Sequence, residues 1–413
     1  MIYVGIDWGD KDHKVFITDD SGKRLDAFSV KHMAKEVDTI FEKVRRFAME
    51  QKEILFGLET SKGLLVNSVL DKGYVVYALN PKSVDRYRDR YKVSKVKDDY
   101  FDAMVIANIL RTDRENHRSI LPDSKLTREL RFLTRDCEKL KRMKTMILNQ
   151  LLSCLKEYYP LAASLFSGLD SKISIAFLKA FPDPDKLRAV TVKKLEKFLA
   201  ENRYPSASKK AFEIYEKLKE PQFNVELFIV RAKSQYMLSL VNQLEVLVRE
   251  IFVFEKKIEE LLENHPDKDI FLSLPGAGKG LASRLISEFG DNRERYKKAS
   301  SVQAEAGTAP VTRQSGSFKS VIFRRACRKT FRNAMHHFAF SSIKESVWAR
   351  ERYNRYVGKD KRNAHALRCL ANAWLEVIFS MWKNHSPYND QRHLLKNFKE
   401  HESVDCSCAV AYS

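Results

Sequence analysis

The stretch Lys95-Val-Lys-Asp-Asp-Tyr-Phe-Asp-Ala103 runs on into Met104-Val-Ile-Ala-Asn-Ile-Leu110 and decides how the first third of the chain is read. It predicts a helix that starts with Asp99 and Asp102, three residues apart. Side chains at i and i+3 share one helix face, so both carboxylates point the same way. From Lys82 to Lys97 the chain is crowded with Lys and Arg. Two carboxylates at that spacing repel unless a cation lies between them. An acidic pair in a basic surround points to a divalent metal holding a phosphodiester. The plainer reading is a helix start, where Asp caps the first turn and complements the dipole. The surrounding elements decide between the two.

Ile2–Asp7 is an apolar run ending in an acid, and Lys14–Asp19 and Arg24–Val30 can follow it as strands, with Asp20-Ser-Gly-Lys as a turn. Lys35–Glu50 has helical spacing, with Val37, Ile40, Phe41, Val44 and Phe47 on one face. Ile54–Glu59 is a second apolar run ending in an acid. A helix through Leu70, a strand at Tyr74–Leu79 and the helix of Asp102 complete the series. Three meandering strands followed by alternating units predict a mixed sheet with helices on its faces, an α/β domain. Ligands gather at strand ends in such sheets. Asp7 and Glu59 can therefore meet Asp99 and Asp102 there. Four converging carboxylates are costly to bury unpaired, and metal ligation relieves that cost.

This strand order and acid placement resemble the ribonuclease H-like fold, and within it the RuvC-like nuclease domains. The resemblance implies a D-E-D-D set of Asp7, Glu59, Asp99 and Asp102, with Asp98 as the alternative third acid.

The chain has 413 residues, 44% hydrophobic, enough for about two or three domains. Its 74 basic and 54 acidic residues give a net charge of +20. That excess points to a polyanionic partner, commonly nucleic acid. No apolar run approaches ~18 residues, which speaks against a spanning helix and leaves no membrane partner expected. The first residues read as a strand rather than a signal peptide. The scattered Cys137, Cys154, Cys327, Cys369, Cys406 and Cys408 predict a reducing, cytoplasmic setting without structural zinc.

Leu126, Leu130, Leu133, Cys137, Leu140, Ile147, Leu151, Cys154 and Tyr158 keep a 4,3 heptad broken at Lys144. Met237, Leu240, Leu244, Leu247, Ile251, Phe254, Ile258 and Leu261 keep another. Two such helices predict an antiparallel coiled coil or a dimer seam. Between them Pro182, Pro184, Pro205 and Pro221 separate shorter helices, with Lys186–Leu199 and Ser208–Leu218 amphipathic.

Leu272-Ser-Leu-Pro-Gly-Ala-Gly-Lys-Gly-Leu281 resembles the turn of a helix-hairpin-helix module. Its Gly276, Gly278 and Lys279 would open a helix whose bare N–H groups take a phosphate. The spacing does not match a nucleotide-binding P-loop. Ala306-Gly-Thr-Ala-Pro-Val-Thr-Arg-Gln-Ser-Gly316 reads as a loop with an accessible Ser315 hydroxyl. Arg313, Lys319, Arg324, Arg325, Arg328, Lys329 and Arg332 follow without an acid, and helical spacing of 324, 328 and 332 predicts a phosphate-binding face.

Together these motifs resemble the D-E-D-D insertion-sequence transposases, over almost the whole chain to about Asn384. The resemblance implies DNA strand cutting and rejoining, with Mg²⁺ (or Mn²⁺) on the four acids, Ser315 as nucleophile, DNA and a structured bridge RNA as partners, and a homo-oligomer, dimer to tetramer. It implies an α/β RuvC-like domain at 1–120, a helical coiled-coil region at 121–265, a mostly helical transposase domain at 266–385 and a polar tail at 386–413. His336-His337 and the tail have no match in that pattern. Two rival readings are a structure-selective nuclease, in which water attacks, and a nucleic-acid-binding scaffold with inert acids. The cleavage product separates them.

Overall fold

The computed structural model describes residues 1–48, 50–90, 100–316, 318–359 and 362–390. The chain forms two compact units, Met1–Pro122 and Asp123–Ser413.

In the first unit, the strands are β1 (Ile2–Asp7), β2 (Asp12–Thr18), β3 (Arg24–Lys31), β4 (Ile54–Leu58) and β5 (Val75–Ala78), in sheet order β3-β2-β1-β4-β5. The β1–β2 and β2–β3 pairs are antiparallel, and β1–β4 and β4–β5 are parallel. Side chains alternate across the strands, so each face builds its own core. Ile2, Val4 and Ile6 pack with α1 (Ala34–Val44) and α2 (Leu64–Asp71). Tyr3 and Leu55 pack on the other face with α3 (Pro81–Arg88) and α4 (Phe101–Asp113). The mixed sheet with helices on both faces is as the sequence predicts.

Two differences concern helices. α1 stops at Val44 instead of running to Glu50, and Phe47 reaches the core from the turn beyond it. α3 lies inside what reads as a basic run. Asn80 caps it, accepting from the Lys82 N–H at 3.0 Å, and Pro81 opens it.

The second unit has a spine of two long helices, α5 (Lys125–Tyr158) and, after four shorter helices, α10 (Leu227–Glu263). They run antiparallel. Thr127 Oγ1 lies 2.8 Å from His265 Nε2, Lys141 pairs with Glu255 at 2.8 Å, and the Cys154 thiol donates to the Lys233 carbonyl at 3.6 Å. The heptad seams therefore face each other within one chain and are not a free dimer seam. Lys144, the break in the heptad, turns aside to pair with Asp170 at 2.8 Å.

A core lies at each end of this spine. Leu151, Leu155, Leu240 and Leu244 pack with α6 (Lys172–Ala180), α7 (Pro184–Arg188), α8 (Val192–Glu201) and α9 (Ala207–Lys219). The amphipathic run 186–199 is thus two helices, because Thr191 starts a new one by accepting from the Lys194 N–H at 3.4 Å. At the other end, Leu130, Cys137, Ile258 and Leu262 pack with α11 (Lys268–Leu272), α12 (Lys279–Phe289), α13 (Ala299–Ala306), α14 (Lys329–Glu345), α15 (Val347–Val357) and α16 (Asn363–Lys383). Between α13 and α14, β6 (Val311–Ser315) and β7 (Phe318–Ile322) form an antiparallel hairpin where the sequence reads as a loop. None of the described helices is long and apolar enough to cross a membrane. Cys137, Cys154, Cys327 and Cys369 form no disulfide; Cys406 and Cys408 lie outside the described residues.

Candidate active-site residues

The first candidate site follows from a close contact. Gly5 on β1 lies opposite Gly57 on β4. A Cβ on Gly5 would come 2.0 Å from the Ala103 carbonyl oxygen, and one on Gly57 would come 2.8 Å from Ile106 Cγ2. Only glycine lets α4 lie this near the sheet. Two residues on from each glycine comes an acid: Asp7 at the end of β1, and Glu59 immediately after β4. Asp102 is in the first turn of α4, next to the contact. Asp98 and Asp99 lie outside the described residues.

Glu59 feels the other two described acids. Burial pushes the Glu59 carboxyl above the ordinary glutamate value, and the charges of Asp7, Asp102 and Asp85 push it further. Arg88 opposes them. Its guanidinium donates to Asp102 and lies 3.8 Å from Asp85. Asp85 and Arg88 belong to α3, so the site has two charged members that the sequence reading did not assign. The Asn80-Pro81 start signal marked that helix. Among the described residues, no group of three or more His, Cys, Asp or Glu is gathered closely enough to hold a metal ion. The positive charge paired with Asp102 is the Arg88 guanidinium.

The second candidate site is the β6–β7 hairpin. Its strands pair from Val311↔Ile322 to Ser315↔Phe318, and Gly316 turns the chain at φ +57°. Ser315 is exposed at the tip, and Phe318 opposite it is 69% exposed. The hairpin base is anchored by the preceding Ala306-Gly-Thr-Ala-Pro segment. Thr308 Oγ1 donates to Asn372 Oδ1 at 2.8 Å, and Gln303 Nε2 donates to Glu376 at 2.9 Å.

The predicted basic face at 324, 328 and 332 is not a helix face. α14 begins at Lys329, so the four-residue spacing before it has no helical meaning. Arg324 Nε donates to the Ala309 carbonyl at 3.1 Å, Arg328 pairs with Glu305 and with Glu288 at 3.4 Å, and Arg332 donates to the Arg324 carbonyl. These three arginines brace the hairpin base. Arg313, Lys319, Arg325 and Lys329 are exposed.

At the Pro-Gly turn, Gly276 has φ +77°, and a Cβ there would press to 2.9 Å on the Ser341 backbone. The turn is thereby set against α14. Gly278 caps α12 and faces open space, while Lys279 pairs with Glu263 at 3.1 Å.

Comparison with known proteins decides the family. A model described as Transposase matches residues 4–160, and one described as Transposase IS116/IS110/IS902 family matches residues 268–354. The mini-circle protein assigned as the transposase for IS117 of Streptomyces coelicolor is 30% identical over 397 residues, covering 95% of this chain and 96% of that protein. The chain belongs to the IS110 family of transposases. An insertion element IS116 protein of 44.8 kDa from Streptomyces clavuligerus is 26% identical, covering 93% of this chain and 95% of its own length. An insertion element IS110 protein of 43.6 kDa from S. coelicolor is 25% identical, covering 94% and 96%.

The transposase is a DNA-recombining enzyme, and DNA binding follows from that activity. The two family models span the two candidate sites separately: Asp7, Glu59 and Asp102 fall under the first, and Gly276, Ser315 and Arg332 under the second. The family suggests a divalent cation for the transposase.

Proposed function

We propose that this insertion-sequence transposase cuts and rejoins DNA through a phosphoserine link at Ser315, with a divalent cation held by its acids. The observation that carries the reading is the approach of α4 onto Gly5 and Gly57, which leaves Glu59 within electrostatic reach of both Asp7 and Asp102. The sheet order supports a ribonuclease H-like, RuvC-like domain.

The donor set suits Mg²⁺ or Mn²⁺, because hard cations take carboxylate oxygens. Burial first, and then the neighbouring carboxylates, raise the Glu59 carboxyl, and Arg88 would have to release Asp102 for that acid to hold a cation. Asp7, Glu59 and Asp102 would hold the ion, with Asp99 as the fourth acid. Bound there, it supplies charge neutralisation on the phosphodiester.

Ser315 would attack phosphorus. The Oγ–P bond forms as a P–O ester bond of the strand breaks; Oγ gives up its proton to solvent, and the departing oxygen takes one up to become a free hydroxyl end. Attack by a hydroxyl end on the phosphoserine later restores the serine and reseals DNA, so bond energy is conserved. Arg313 and Lys319, exposed on the same hairpin, would meet the charge that develops on phosphorus. Arg324, counted with them by sequence, braces the hairpin instead.

The family resemblance and the net charge of +20 support a bridge RNA as guide and a homo-oligomer, dimer to tetramer, as the working form. Incubation of the enzyme with element-end DNA and Mg²⁺ should give a protein–DNA adduct that survives denaturant. Ser315→Ala should give none. Free DNA ends without adduct would instead identify a nuclease in which water attacks.

A further inference from the structure

Beside the hairpin base lies a cleft lined by Thr308, Pro310, Ile322, Phe323, Arg324 and Arg368. Phe323, the residue after β7, carries a guanidinium over its ring twice. Arg332 lies 4.4 Å from the ring centroid and Arg368 lies 4.5 Å from it. Two like charges on one ring repel, and cation–π attraction offsets that only in part. No acid is paired with either arginine among the described residues. Arg332 gives one nitrogen to the Arg324 carbonyl and leaves Nε buried without an acceptor. His336 stands next to them with its buried Nε2 unpartnered. Burial and the charges of Arg368, Arg332 and His337 all push its pKa down, and no carboxylate contributes. A half-buried cationic cluster without a counter-ion is short of an anion.

We propose that Arg368 and Arg332, stacked on Phe323, form a binding site for one phosphodiester of the DNA strand that the transposase handles. The site rests on the reading of the hairpin as the strand-cutting element. A strand rises about 3.4 Å per residue, so Ser315 stands roughly 14 Å up the hairpin from Val311 at its base. The cleft therefore takes a phosphate further along the strand and not the attacked one. Arg368 is a positioning residue that fixes the strand relative to Ser315. Guanidinium forks suit this task, since they bind phosphate through two parallel hydrogen bonds.

The test measures affinity of the full chain for a mixed-sequence DNA duplex across a salt series, without metal, so that no cleavage intervenes. Arg368→Gln should lower the slope of log K against log salt by about one and weaken binding about five- to tenfold at low salt, alike for different sequences. Arg368→Lys keeps the charge and should keep the slope. A folded Arg368→Gln protein with unchanged slope and affinity would overturn the site. So would loss of slope in both variants, which would show that packing on Phe323 matters rather than charge. Weakened binding to a structured RNA with duplex binding intact would also overturn it, by moving the contact to RNA. Ser315→Ala, judged by adduct formation alone, tests the nucleophile separately and should leave the salt slope unchanged.

Discussion

Glu59 bears the cost of gathering acids at the ends of two buried strands. Its folded pKa is raised, so its contribution to stability is present at low pH and is lost as pH rises through the folded value. In chelator at pH 7, Glu59→Gln should therefore melt about 2 °C above the parent, and the gap should close as the pH falls into the range where Glu59 protonates. Mg²⁺ should raise the melting temperature of the parent and leave Glu59→Gln unmoved. A parent that Mg²⁺ does not stabilise would count against the metal reading. Gly5 makes the matching prediction from sterics. Gly5→Ala sets a methyl 2.0 Å from a backbone oxygen, so α4 must back away. Chemical denaturation should show a loss of about 1–3 kcal/mol, and strand cleavage should fall with it. At this scale the placement of Asp7 and Glu59 at strand ends and of Asp102 in the first turn of α4 was legible, and their neighbours were not. An apolar run ending in Asp7 or Glu59 states itself, whereas the need for glycine two residues earlier exists only once α4 is packed. Asp85 and Arg88 were hidden because the density of charge in their run obscures the Asn-Pro start of their helix.

Periodicity read the long helices well, because a 4,3 pattern kept over many turns fits an amphipathic helix and fits neither a strand nor a loop. It could not name the partner. A heptad seam on one chain looks the same whether it meets a second molecule or folds back, and here Lys141–Glu255 and Thr127–His265 show the fold-back. Leu244 is fully buried in that seam. Leu244→Ala should cost about 2–5 kcal/mol in urea unfolding while sedimentation shows the oligomeric state unchanged. A shift in assembly instead would place the seam between molecules. The serine hairpin shows the opposite failure. Arg324, Arg328 and Arg332 have helical spacing, but the helix starts only at Lys329, and two of those side chains donate to backbone carbonyls around the hairpin base. Arg324→Ala should therefore cut adduct formation by loosening the hairpin, with little change in the salt dependence of DNA binding, whereas Lys319→Ala should reduce that dependence by about one ion.

For the whole molecule, charge and modularity lead to different experiments. Met1–Pro122 has its sheet covered on both faces by its own helices. A fragment ending at Pro122 should unfold cooperatively by circular dichroism, and a fragment that lacks a transition would show that the remaining chain completes its core. The net charge of +20 adds a bulk expectation. Protein purified at low salt should retain nucleic acid, and the retained material should include a structured RNA if the guide reading holds.

The fold-back of the long helices has a consequence for how such a chain can change. Leu130 and Leu262 belong to one core and Leu151 and Leu240 to the other, while the stretch near Lys144 lies between them. Excising seven residues from each strut at facing positions would preserve the seam pattern and draw the two bodies nearer by about 10 Å, at 1.5 Å per residue. The pair is thus an adjustable gauge rod, whose span can drift in whole heptads while the parts bolted to its ends keep their shape.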